Sequence, residues 1–315
     1  MDPGGAGEPD DERNAEELAE ADGPDVDGWD ADDERGAVEP ADVDEYLAEN
    51  RRHWEDAAAA HPDTDHYDVA GFLDGASSLH ALERRELGDE VCPGTDLLHL
   101  QCHFGLDTLS WAREGVTVTG VDFSREAIAT ARDLAAEAGL ADRATFVESG
   151  VYDLPDALDG QFDVVFTSYG VLGWLPDLDR WAEVAASFVR PGGTFYLAEL
   201  HPLTETLPWD FDGGDAAFVR PYFTPAEPST YEGPGTYADY DLELEHDRSH
   251  TWPHALGEIL TALLDAGLAL EFVHEHPFAV EEQFEGMTRG DDGHWRFESG
   301  IEVPLTVSVK ATNPA

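Results

Sequence analysis

Residues 98–108 read LHLQCHFGLDT. A short apolar run closes at Leu100, and the polar cluster Gln101-Cys102-His103 follows. Gly105 comes next, and from Leu106 the apolar residues recur at helical spacing. A run of that length bounded by a turn reads as a buried strand, and GLDTLSWAREG behind it as a helix ended by Gly115. Strand, tight turn and helix in succession form the repeating unit of an α/β fold, so these eleven residues decide the fold class.

The pattern extends outward. VTVTGVD (116–122) is a second strand, and Ser124 caps a helix over 125–139. ATFVES (144–149) and FDVVFTS (162–168) are the third and fourth strands. DLDRWAEVAASFVR (177–190) is a helix stopped by Pro191-Gly192-Gly193, and TFYLAEL (194–200) is a fifth strand. The alternation implies a parallel sheet with helices on both faces. HALGEILTALLDAGL (254–268) is a further helix, and ALEFVHEH (269–276) and EVPLTVSVKAT (302–312) are final strands expected to pair antiparallel. Upstream, EYLAENRRHWEDAAAA (45–60) and SSLHALERRELG (77–88) read as helices covering the main fold.

This divides the chain into an acidic segment at 1–40, expected to be disordered because it has too few apolar residues to build a core, and a helical cap at 41–92. The core spans 93–200. Residues 201–253 break the alternation, and their length and tyrosine content (Tyr222, Tyr231, Tyr237, Tyr240) suggest an insertion or lid on the substrate side. Residues 254–315 complete the core with a helix and the final strand pair.

The 315 residues carry 69 acidic against 17 basic side chains, a net charge of −52. Lys310 is the only lysine. Residues 1–40 hold sixteen acids and two arginines, so 41–315 retain 53 acids against 15 bases, and the whole surface is acidic. Self-repulsion of that size destabilises a compact state at ordinary ionic strength and is screened in molar salt, where the Debye length falls to roughly 3 Å. The composition is that expected of a halophile's cytoplasmic protein. Such a surface opposes phosphate-mediated nucleic-acid binding. No apolar run approaches the ~18 residues that span a bilayer, and no signal peptide is evident. Two cysteines, Cys92 and Cys102, preclude a disulfide framework.

In open α/β sheets ligands bind beyond the carboxyl ends of the strands. The turn at 101–105 follows the first strand, and Asp122 ends the second, placed to accept hydrogen bonds from both ribose hydroxyls of an adenosine ligand. That spacing alone serves dinucleotides as well, and an NAD-dependent dehydrogenase is a second alternative. A metal held by His99, Cys102 and His103 is disfavoured, since 99 and 102 fall on opposite faces of a strand and a fourth ligand is missing. His99 reads as a core histidine, Cys102 as a small buried hydrophobe and HEHP (274–277) as structural, so no metal site is expected.

LLHLQCHFGLDTLSWAREGVTVTGVDFSREAI, FDVVFTSYGVLGWLPDL and FVRPGGTFYLAELHP resemble the class I S-adenosylmethionine-dependent methyltransferases, in particular a small-molecule branch with an HLQCHFG first loop. The resemblance runs from about Tyr46 to Thr312. It implies a Rossmann-like seven-stranded sheet, mostly parallel with an antiparallel last strand, and S-adenosylmethionine as cofactor. The family's first loop usually reads acid-x-G-x-G-x-G; His99, Gln101, His103 and Gly105 take those places. The resemblance implies cofactor contacts from Gln101, His103, Gly105 and Thr108, with the ribose on Asp122 and adenine packed on Phe123. The acid that often reads the adenine amino group falls at Gly150, so Val151 and Tyr152 supply contacts there, with Asp153 as a substitute.

Ser168 and Tyr169 would lie at the methionine end. Tyr169, Trp174, His250 and Trp252 are the expected substrate wall, and His201 and His254 the candidate bases. Trp54 and Tyr67 could close over the cofactor. The expected activity is methylation of a small molecule in the cytoplasm; the alternative from another class is a non-catalytic S-adenosyl-ligand-binding protein.

Overall fold

A computed structural model describes residues 40–214, 218–225 and 227–314, with side chains from residue 43 onward. The disorder expected of 1–40 lies outside these residues except at Pro40, which opens helix α1 (Pro40–Ala60). Proline is tolerated in a first helical turn because its missing N–H would have no partner there. Two shorter helices follow, α2 (Val69–Leu73) and α3 (Ala81–Leu87). The third starts four residues later than the spacing suggests. Glu83 Oε1 accepts the His80 N–H at 2.6 Å, and Ser78 is drawn away to Ser110 and Asp107.

The core follows the expected order: β1 (Asp96–Leu100), α4 (Leu106–Arg113), β2 (Thr117–Asp122), α5 (Arg125–Glu137), β3 (Ala144–Glu148), the short α6 (Leu154–Ala157), β4 (Phe162–Ser168), α7 (Leu178–Phe188) and β5 (Val189–Leu200). Residues 189–193, read as the end of a helix and its stop, instead begin β5. Pairing with β4 shifts register between Phe162 and Val164, which accommodates Gly192 at φ 72°.

The insertion contains the antiparallel strands β6 (Ser229–Glu232) and β7 (Arg248–Thr251), and β7 packs on α1. Then come α8 (Leu256–Asp265), β8 (Ala269–His276), a small hairpin of β9 (Met287–Arg289) and β10 (Trp295–Phe297), and β11 (Thr306–Thr312). That small hairpin has its own apolar cluster, which includes Phe211, Phe284 and Phe297.

The seven-stranded sheet runs β3-β2-β1-β4-β5-β11-β8. Six strands are parallel, and β11 lies antiparallel between β5 and β8. Both faces are covered, so β1 reads Leu97 to Leu100 buried without alternation. One face packs Leu98, Val165 and Leu197 against α7 and α8; the other packs Leu97, Phe166 and Tyr196 against α3 and α4. Every parallel strand therefore points its carboxyl end at one edge of the molecule, where the turn at 101–105 sits.

Candidate active site

Three residues of the turn adopt the left-handed backbone in alternation: Gln101 (φ 55°), His103 (φ 50°) and Gly105 (φ 80°). For a residue with a side chain this costs about 1–2 kcal/mol, so the turn must be held from outside. The Cys102 N–H donates to the Val121 carbonyl at 2.9 Å, the His103 N–H to Asp122 Oδ2 at 2.9 Å, and the Gly105 N–H to the Cys102 carbonyl at 3.0 Å. Cys102 and Phe104 are buried beneath it. Glycine is required only at 105, where a Cβ would lie 2.8 Å from Phe146 Cε1 and 3.1 Å from Ala131 Cβ.

Asp122 is the pivot. Its Oδ1 accepts the Ser124 N–H at 2.9 Å while Oδ2 holds His103. A carboxylate has about four lone-pair positions, so acceptor capacity remains for two hydroxyls. Burial pushes its carboxyl up to about 6, against the opposing pull of the N–H donors. Phe123, half-buried beside it, has no ring partner among the described residues. The N-terminus of α5 is capped by Glu55 of α1, whose oxygens accept the Arg125 N–H at 3.0 Å and the Glu126 N–H at 2.9 Å. Burial would raise the Glu55 carboxyl, but these donors and the Ser124 hydroxyl hold it below its usual range.

An aromatic roof lies over the turn. The Trp54 ring on α1 stands 5.5 Å from His103, 5.1 Å from Trp174 and 6.2 Å from Tyr237. His61 Nδ1 lies 2.9 Å from His103 Nε2, and His61 Nε2 lies 2.9 Å from Thr236 Oγ1. The hydroxyls of Tyr67 and Tyr237 meet. Burial holds His61 at about 4 and His103 well below its ordinary range, so both rings are neutral near pH 7. Beneath the roof Gln101 Nε2 donates to the Val171 carbonyl at 3.1 Å, whereas buried Gln101 Oε1 and Trp54 Nε1 have no partner.

Other expected site residues are engaged elsewhere. The Thr108 hydroxyl lies 2.8 Å from His99 Nδ1, and the Ser168 hydroxyl 3.2 Å from His99 Nε2. Both face this core histidine, which burial holds at about 4. Its two nitrogens are thus occupied, and His103 is bonded to His61, so the three residues of the disfavoured metal reading do not share a centre.

Tyr169 (φ 23°) turns toward the cap, its hydroxyl donating to Glu83 Oε2 at 3.0 Å. Glu83 is buried without a basic partner in its hydrogen bonds, which pushes its carboxyl up to about 8. Val151 is buried in the core. The Tyr152 hydroxyl meets the Asp177 backbone at 3.0 Å, and Arg180 stands over its ring.

The candidate bases lie apart from the roof. His201 Nδ1 accepts the Leu203 N–H at 3.1 Å and its Nε2 lies 2.9 Å from Glu275 Oε1, tying β5 to β8. His254 Nε2 donates to the Leu175 carbonyl at 2.7 Å, while Nδ1 lies 3.3 Å from Thr224 Oγ1. Burial lowers both. His254 and Trp252 line a separate groove of about 780 Å³ with Tyr152. His250 is wholly buried, with Nε2 2.6 Å from Glu49 and Nδ1 2.9 Å from Thr230, and it fastens the insertion to α1. The expected substrate wall is thus divided: Trp174 joins the roof, Trp252 the groove, Tyr169 the cap and His250 the α1 contact.

Three residues essential to this geometry escape the motifs. His61 lies seven residues beyond Trp54, two helical turns along one face, and that spacing is its only signal. Glu55 and Thr236 carry none. Glu199 braces the floor: its carboxylate accepts the N–H groups of Gly170, Val171, Leu172 and Leu200. Burial raises it in spite of them.

With this geometry in place, comparison with known proteins is informative. The model of a family described as a methyltransferase domain matches residues 97–193. A demethylmenaquinone methyltransferase of Beutenbergia cavernae is 30% identical over 224 residues, covering 65% of this chain and 84% of that protein. A ubiquinone biosynthesis O-methyltransferase of Pectobacterium atrosepticum is 31% identical over 155 residues, 44% of this chain and 63% of that protein. Among solved structures, an S-adenosylmethionine-dependent methyltransferase from Mesorhizobium loti superposes with a TM-score of 0.51 at 22% identity, covering 76% of this chain and 99% of that one. This last likeness speaks for the fold.

Proposed function

This chain belongs to the class I S-adenosylmethionine-dependent methyltransferases, and we propose that it methylates a small molecule held under the aromatic roof at the ends of β4 and β5. The observation that carries this reading is the buried, unpartnered Gln101 Oε1 in a turn clamped by Asp122. A buried acceptor without a donor costs about 1–3 kcal/mol, and the ammonium of a methionine moiety would satisfy it. Spare lone pairs on Asp122 suit ribose hydroxyls, and Phe123 offers a free face to adenine. The residues therefore fit S-adenosylmethionine, with Gln101, Asp122 and Phe123 the groups that would hold it.

Bound there, the cofactor supplies a methyl group already activated by its sulfonium. The protein's part is alignment and exclusion of water. Trp54, His61, Tyr67, Trp174 and Tyr237 exclude water; Glu199 holds the floor, and through Val171 it keeps Gln101 in place. Both candidate bases stand apart from the roof with both ring nitrogens in contact, His254 with Leu175 and Thr224 and His201 with Leu203 and Glu275, so neither is assigned the acceptor's proton. The named relatives include a demethylmenaquinone methyltransferase and a ubiquinone biosynthesis O-methyltransferase, and the acceptor here is left as a small molecule. The acidic surface suits assays in concentrated potassium chloride.

The test is calorimetric titration of S-adenosylmethionine and its demethylated product into the folded chain, alongside Asp122→Ala. Micromolar binding weakened at least tenfold by the substitution, about 1.4 kcal/mol, is expected. No binding to folded wild type refutes the proposal.

A further inference from the structure

We propose that Glu86, His274 and His276 form a site for one divalent transition-metal cation of the zinc type, fastening α3 to the open edge of the sheet. β8 is an edge strand, and its period of two sets His274 and His276 on one face. Glu86, in the last turn of α3, reaches that face: its Oε1 lies 2.8 Å from His274 Nδ1 and 3.7 Å from His276 Nε2. One ligand atom from each residue lies within 4.8 Å of the other two. Tetrahedral zinc, with bonds of about 2.0–2.2 Å, sets its ligand atoms roughly 3.3 Å apart. Small side-chain rotations therefore separate the present arrangement from a coordinated one.

The donor set selects the ion. Two imidazoles and a carboxylate suit zinc, cobalt, nickel or copper, whereas magnesium and calcium take oxygen ligands throughout. The Tyr196 hydroxyl donates to Glu86 Oε2 at 2.9 Å, orienting the carboxylate with Oε1 toward the histidines. Ser308 Oγ, 3.1 Å from His276 Nε2, gives up that contact when the nitrogen binds the ion. The site opens into a surface groove of about 700 Å³ that Arg85 and Phe272 also line, leaving the fourth position to water. The Arg85 charge makes the affinity moderate. Among the described residues this is the one such cluster of histidine, cysteine or carboxylate side chains.

HEHP alone reads as structural, because the third ligand lies 188 residues away in the sequence and joins only in the fold. A cation here would link the cap to the sheet.

The experiment uses the full chain, stripped with a chelator, in concentrated sodium sulfate. Zinc is titrated by calorimetry and cobalt(II) by visible absorbance. We expect one saturable zinc equivalent and a tetrahedral cobalt spectrum. Both are lost, or zinc affinity drops at least tenfold, in His274→Ala/His276→Ala and in the milder Glu86→Gln, while magnesium produces no saturable heat. The variants must retain the near-UV spectrum and S-adenosylmethionine binding of wild type, which reports a folded chain. Zinc affinity equal in wild type and both folded variants, or a cobalt spectrum that stays octahedral, overturns the site.

Discussion

Replacing Gln101 separates backbone strain from ligand contact in a single residue. At φ 55° its side chain costs about 1–2 kcal/mol. Glycine removes that cost and adds about 0.5–1 kcal/mol of chain entropy on folding. Both Gln101→Gly and Gln101→Ala lose the bond from Nε2 to the Val171 carbonyl, worth about 0.5–1.5 kcal/mol. The alanine variant keeps the strain, and its lost bond is offset by relief of the unpartnered Oε1, about 1–3 kcal/mol, so without ligand it should not fall below wild type. The glycine variant should exceed the alanine variant by about 0.5–1 kcal/mol, the strain relieved less the entropy added. For a domain of this size that is roughly 1–4 °C in melting temperature. Both variants should bind S-adenosylmethionine at least tenfold more weakly, about 1.4 kcal/mol, because each lacks Oε1. The measurements are thermal melts by near-UV circular dichroism and calorimetric titration, both in concentrated potassium chloride. An alanine variant as stable as the glycine variant refutes the strain argument. Wild-type affinity in either variant refutes the role of the Gln101 side chain.

Two further outcomes follow from the same turn. Asp122 titrates at about 6 in the folded chain, raised from 3.8, so the folded state binds its proton more readily than the unfolded one. Its ionisation therefore takes away stability as pH rises between about 4 and 6, and lowering the pH through that window does not unfold the protein through this group. Ribose hydroxyls need the ionised form, so affinity for S-adenosylmethionine should be level above pH 7 and fall about tenfold per unit well below 6; constant affinity from pH 7 to 5 in a folded sample would sink the assignment. Gly105→Ala combines about 1–2 kcal/mol of backbone strain with about 1–3 kcal/mol of overpacking against Phe146. An unchanged melting temperature would contradict the close approach seen there.

The sheet was legible because each of its strands is short, apolar and bounded by its own turn residues, so local pattern and tertiary role agree. That agreement extends to the antiparallel entry of β11. Legibility failed where a segment's partner is distant. The helix at 177–190 ends at Phe188 because β4 recruits Val189 as strand, which helical spacing does not reveal. The hairpins β6–β7 and β9–β10 have strands of four and three residues, too short for alternation to register. Around the turn, the positions of Gln101, Asp122 and Gly105 were readable from their place after strands β1 and β2. Thr108 and Ser168 were not, because their hydroxyls could face the cofactor or His99, and only packing chooses His99. His61, Glu55 and Thr236 act through residues 42 or more positions away; the spacing of His61 from Trp54 is the one local signal among them.

The missing glycines of the turn acquire a physical reason in the roof. Glycine at 101 and 103 would give the same backbone at less cost, and nothing would then reach upward from it. With side chains there, Gln101 keeps a buried acceptor beneath the roof, and His103 meets His61 and Trp54. The strain of two left-handed residues is thus offset by contacts with α1 and the turn after it. It is sustained because Asp122, Val121 and the packing of Cys102 and Phe104 leave the turn no alternative path. The cap consequently helps hold the turn instead of covering a finished one. Glu55 caps α5, Trp54 and His61 roof the turn, and Glu83 holds Tyr169 at the end of β4. Contacts from α1, the turn after it and α3 thus reach residues at the ends of β1, β2 and β4.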